Sequence, residues 1–201
     1  MFKIAFFKDH LYQKIQIPGP MDRRELIIEA MDSLSKKEIH CFNCSGTCCT
    51  MSANSMQITP LEAFEIILSL EIDQSNIDQY KEKLKKNIQD YRLNHEIFLG
   101  KKAHRSLRKT YTCPFFIPGP KGCSIKKELK PYGCLGFNPK IENDNGGQCH
   151  SDLKLLEERE NISLAFEITA NEFLKKELNI DWNKLEIPKA VLYFLEKLNE
   201  A

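Results

Sequence analysis

The residues best equipped for chemistry are eight cysteines: Cys41, Cys44, Cys48, Cys49, Cys113, Cys123, Cys134 and Cys149. Four of them fall within nine positions, in the string CFNCSGTCC. Cys41 and Cys44 form a C-x-x-C clip. Two intervening residues let the chain wrap so that both sulfurs face one ion and backbone amides point at the sulfurs. Cys48 and Cys49 follow at once. Neighbouring side chains tend to diverge, and a disulfide between adjacent residues would be strained. Each is therefore expected to serve a different position: two metals, or one ligand beside one packing or reactive thiol. The later four cysteines are separated by nine, ten and fourteen residues. Rigid turns flank three of them: Pro114 after Cys113, Gly122 before Cys123, and PYGCLGFNP around Cys134. Eight thiolates suffice for two four-cysteine sites, or for one such site beside a separate reactive or structural set.

Compartment decides how a cysteine count is read. The opening MFKIAFFKDH carries too short an apolar stretch for an export signal, and no A-x-A-like cleavage site follows. No run approaches the ~18 apolar residues of a membrane span. A cytoplasmic, reducing location is expected, which disfavours a disulfide framework and points the thiols to metal or redox chemistry. The chain has 201 residues, 42% hydrophobic and 28% charged, with a net charge of +1. This is a globular composition with no global attraction to nucleic acid.

The order CFNCSGTCC, ITPLEA, CPFF, GCSI, KPYGC and FNP resembles the YkgJ-type cysteine-cluster family, the zinc- or iron-chelating CxxCxxCC domain. The likeness covers about residues 41–140. Three departures stand out. The spacing here is C-x2-C-x3-C-C instead of C-x2-C-x2-C-C, Lys130 replaces the arginine before Pro131, and Leu135 replaces a basic residue. Cys149 is the cysteine placed least firmly in the pattern. The resemblance implies metal binding. A related domain occurs in flagellin lysine methylases, where it is associated with an iron–sulfur cluster, but this chain shows no nucleotide or S-adenosylmethionine loop.

Soft thiolates suit zinc and iron–sulfur clusters alike. Lys126, Lys127 and Lys130 could offset the charge of either. The C-P step and the glycines near cysteines resemble bacterial iron–sulfur motifs, whereas zinc sites favour repeated C-x-x-C pairs. The balance falls slightly toward iron–sulfur. His40 and His150 flank cysteines but read as exposed residues, and His95 reads as a half-buried packing residue. Trp182 reads as a packing residue of the tail. There is no G-x-S-x-G, Walker loop or H-E-x-x-H; a cysteine nucleophile stays open.

The elements that must place these thiols read as follows. FKIAFF and LYQKIQI look like short strands. Asp22 and Glu25 open a helix over 22–37. Thr59, Pro60 and Glu62 give a strong start to a buried helix. The stripe Ile77, Tyr80, Leu84, Ile88, Tyr91, Phe98 predicts a helix over 76–99. Residues 110–140, with five prolines and four glycines, should be irregular with a hairpin of two short strands. From 151 onward helices dominate, although Ile162, Leu164, Phe166 and Ile168 alternate as a strand would, and Thr169 with Glu172 could cap a new helix. Pro188 opens the last helix.

The expectation is an α+β fold, mainly α. Helices surround a small irregular cysteine-lined metal core at 41–149, within a domain of residues 1–150. A helical extension over 151–201 packs on it. Three functions are consistent with it: a structural or electron-transfer metal site, a metalloenzyme acting on protein side chains, and a metal-delivery protein. Residues 81–109 hold ten Lys/Arg and three acids. They could meet a protein partner, although a solvated helix paired with the acidic tail is the simpler reading. Nucleic acid and membrane are not expected partners.

Overall fold

Between Pro60 and Ser69, apolar residues occupy so much of the helical surface that the segment must be surrounded. The computed structural model, which describes residues 4–37, 46–95, 108–118, 122–139 and 149–200, places this helix at the centre. It is preceded by α1 (Ile4–Asp9) with a π-helical turn at His10–Lys14, and by α2 (Glu25–Ser35). β1 (Gln57–Ile58) leads into the central helix, α3 (Pro60–Ser69). α4 (Ile77–Asp90) follows, then the hairpin of β2 (Phe116–Ile117) and β3 (Gly122–Cys123). The short α5 (Tyr132–Leu135), β4 (Phe137–Pro139) and β5 (Cys149–Ser151) come next. The chain ends with α6 (Leu153–Leu178), β6 (Leu185–Glu186) and α7 (Ile187–Glu200). The fold is α+β and mainly α. Among the described residues, no helix is long and apolar enough to cross a membrane.

Local sequence explains where α3 begins. The Thr59 side chain accepts from the Glu62 amide, the Glu62 carboxylate accepts from the Thr59 amide at 2.9 Å, and Pro60 stands where no amide is needed. Leu61, Phe64, Ile66 and Ile67 are fully buried and meet Phe7, Leu84, Leu174, Phe194 and Leu195 in one core. Each such side chain contributes about 1.5–3 kcal/mol on burial. α7 packs on both α3 and α4, and α6 packs on α2 and α3. Among the described residues there are three antiparallel two-stranded pairs: β1–β6 joins the starts of α3 and α7, β4–β5 joins α5 to α6, and β2–β3 is a hairpin between α4 and α5.

Several expectations are corrected. The first nineteen residues are helical at Ile4–Asp9 and His10–Lys14, not stranded. Phe7 and Leu11, four apart, are the buried pair, a helical spacing that so short an apolar run leaves ambiguous. Asp22 does not cap α2; its carboxylate accepts from the Gly19 amide at 3.0 Å, closing the turn before the helix. α4 stops at Asp90, earlier than the apolar stripe suggested, and Arg92 takes a left-handed conformation just beyond; Phe98 lies outside the described residues. The alternating stretch 162–168 is continuous helix within α6, and Thr169 donates to the Ala165 carbonyl inside it and caps nothing. The tail's Trp182 does pack, edge-on to Tyr193 at 6.1 Å.

Candidate metal centre

Cys48 and Cys49 are carried on a tight 3-10 turn, Thr47–Cys49. Gly46 enters it with φ +73° in the left-handed region, which a glycine adopts without steric penalty. A Cβ there would also fall on the Phe116 ring. The Cys49 amide donates to the Gly46 carbonyl at 2.8 Å and Thr50 closes back on Thr47. The result differs from the divergence expected of neighbours. The tight turn brings the two sulfurs to 3.9 Å.

The second stretch is pinned directly to the first. The Cys113 amide donates to the Cys49 carbonyl at 2.7 Å, and the Tyr111 amide to the Asn54 carbonyl at 3.0 Å. Asn87 of α4 donates to the Thr112 carbonyl at 2.9 Å. Tyr111 is fully buried, its hydroxyl donating to the Met56 carbonyl and accepting from the Ile187 amide. Cys123 sits in the β2–β3 hairpin opposite Phe116, and Cys134 lies in α5. Cys48, Cys49, Cys113, Cys123 and Cys134 all line one cavity of about 180 Å³, together with the cations Arg108 and Lys130. All five are free thiols.

Of the other predicted ligands, Cys41 and Cys44 lie outside the described residues, as does His40. Cys149 is described through its backbone, which pairs with Pro139 across β4 and β5. His150 is exposed, as expected. His95 is exposed in a turn, not half-buried on a helix stripe. Among the described residues no three cysteine, histidine or acidic side chains stand together closely enough to hold a single ion.

Three of the cavity's thiols, Cys48, Cys113 and Cys134, are held from ionising. The hydrogen bond with Cys49, followed by burial, pushes the Cys48 thiol up, with Lys130 pulling the other way. Burial raises Cys113 to about 12. Poor solvation in the cavity it lines lifts Cys134 well above its ordinary value, reinforced by Cys113 and Cys123. A nucleophilic cysteine is held below its ordinary pKa; these three are held above it.

Behind Cys134 lies a network that the sequence analysis missed. Arg23 and Arg24 are buried and share the carboxylate of fully buried Glu65. Arg159 pairs with Glu167. The Tyr132 ring lies between two guanidiniums, with Arg24 4.4 Å and Arg159 3.2 Å from its centroid. Burial, then Glu65, raises the Tyr132 phenol to about 12, so it stays protonated and donates to Glu167 while accepting from Arg23. The available signal was Glu65 itself: an acid in the middle of an almost wholly apolar helix needs a buried cation.

Compared with known proteins, the chain matches no family model, no curated protein and no solved structure.

Proposed function

We propose that this protein binds a metal centre through its clustered cysteines, in the manner of the YkgJ-type domain, and that an iron–sulfur cluster is its preferred occupant. One observation carries the reading: five thiols from three separated stretches face one cavity of about 180 Å³. An apolar cavity of about 150 Å³ can hold a body the size of benzene, so this one has room for more than an ion. In an iron–sulfur cluster the thiolates are spread over several irons. Arg108 and Lys130 offset the charge that such a centre brings to the cavity wall.

The donor set fits. Cys48, Cys49, Cys113, Cys123 and Cys134 are available, and Cys41, Cys44 and Cys149 complete the candidates. When bound, a cluster would supply one-electron transfer or a structural crosslink; zinc would supply the crosslink alone. The protein's part is to gather the thiols, and metal entry displaces their protons. Zinc is the second reading, and the Cys48–Cys49 distance of 3.9 Å favours it. That is close to the edge of about 3.8 Å in a zinc–thiolate tetrahedron.

A cytoplasmic location would keep the thiols reduced, and the Lys/Arg-rich sequence 81–109 is proposed to meet an acidic protein partner. Enzymatic action on protein side chains, and metal delivery, remain roles such a centre could serve. The test of the reading is metal content in single cysteine variants. Cys113→Ser and Cys134→Ser should each lose most bound metal after anaerobic purification, while Cys→Ser variants that keep full metal overturn the assignment.

A further inference from the structure

Three arginines and three glutamates are withdrawn from water beside the cavity: Arg23, Arg24, Arg159, Glu62, Glu65 and Glu167. Buried ion networks of this kind add little net stability, because desolvation offsets the attraction between charges. What they do supply is position, since each member is held by several directional bonds.

Their bonds converge on Lys130 and Tyr132, at the start of the α5 turn that carries Cys134. Arg24 Nε donates to the Lys130 carbonyl at 2.8 Å. Glu62 Oε1 accepts from the Tyr132 amide at 3.0 Å, while its other oxygen holds the Thr59 amide at the start of α3. Tyr132 is clamped between Arg24 and Arg159. The Cys134 amide in turn donates to the Pro131 carbonyl at 3.0 Å. The path from the buried charges to the cysteine is continuous and involves no other cysteine.

We propose that Arg24, Glu62 and Tyr132 are positioning residues that fix where the Cys134 sulfur stands in the cavity, and so how firmly the centre is held. The purpose assigned to them rests on the metal reading above, but the test does not. Hydrogen-bonded partners behind a ligand commonly set its metal affinity by about 10- to 100-fold.

The test is alkylation of the metal-free full chain by iodoacetamide, with the rate at each cysteine read by mass spectrometry. Glu62→Ala removes the acceptor of the Tyr132 amide, and Cys134 should then react about tenfold faster. Cys113 should stay within about twofold of its wild-type rate. Glu62→Gln leaves one acceptor oxygen for two amides, those of Tyr132 and Thr59, and should fall between wild type and Glu62→Ala. Should Glu62→Ala open the whole domain, Tyr132→Leu carries the same comparison with the α3 cap intact. Equal acceleration of Cys134 and Cys113 in both variants, or no acceleration of Cys134 in either, overturns the proposal. In the metal-loaded chain, a chelator should strip Glu62→Ala about 10- to 100-fold faster than wild type; equal rates overturn it as well. A wild-type chain that binds no metal overturns the preceding section's reading and leaves the alkylation result to decide this one.

Discussion

Glu65 has no contact with water, and two guanidiniums share its carboxylate. Burial alone would raise its pKa, but Arg24 and Arg23 outweigh that and hold it below the ordinary 4.5. The sign of the pH dependence follows. A carboxyl depressed in the folded state contributes stability that is present above its unfolded value and lost as pH falls through its folded value. The melting temperature should therefore decline as the solution is acidified below about pH 4.5. Glu65→Gln should flatten that decline while costing about 3–5 kcal/mol at neutral pH, because two buried cations lose their partner. Thermal melts of both proteins between pH 3 and 7 check it; parallel curves would count against the network. Gly46 gives a second prediction. Gly46→Ala meets both a left-handed backbone and the Phe116 ring. It should displace the Cys48–Cys49 turn and lower metal content relative to wild type, measured by elemental analysis.

Among the elements, α3 was the most legible, because its start depends on four consecutive residues and its burial on its own composition. Thr59→Ala should cost about 1 kcal/mol, or about 2–4 °C in melting temperature for a chain of this size. A drop no larger than that of an exposed control substitution would show that the cap is redundant. The N-terminal run was misread for the opposite reason. FKIAFF is too short for its apolar positions to fix a period, and what decides is the surface it meets, where Phe7 packs edge-on to both Phe64 and Phe173. The stretch 162–168 was ambiguous from its alternation. The stretch is helix, but its apolar residues do not mark the buried side: Ile162 and Phe166 are exposed, while Arg159, Ser163, Ala170 and Leu174 face inward. Thiol residues could be found in the sequence, but not which of them share a space. A long-range backbone bond joins Cys113 to Cys49, and a hairpin sets Cys123 opposite Phe116; no spacing rule specifies either. The arginine network was hidden because an Arg-Arg pair ordinarily signals a solvated face.

At the scale of the molecule, a main core built on α3 and closed by α6 and α7, with a smaller apolar cluster between α2 and α5, supports a cavity lined by short strands and turns. Few helical hydrogen bonds hold that wall, so a bound centre should be its main source of order. Hydrogen exchange of the metal-loaded and metal-free chain should show protection lost across 46–56 and 113–137 while α3 and α7 stay protected. Uniform loss would mean that the cavity wall and the core open together. The most direct measurement is the metal-to-protein ratio and visible spectrum of the full chain purified without oxygen. Stoichiometric metal is expected, with broad visible absorption for an iron–sulfur cluster or a colourless zinc-loaded protein for the second reading. A colourless, metal-free chain that folds and melts the same with or without added iron, sulfide or zinc would contradict it.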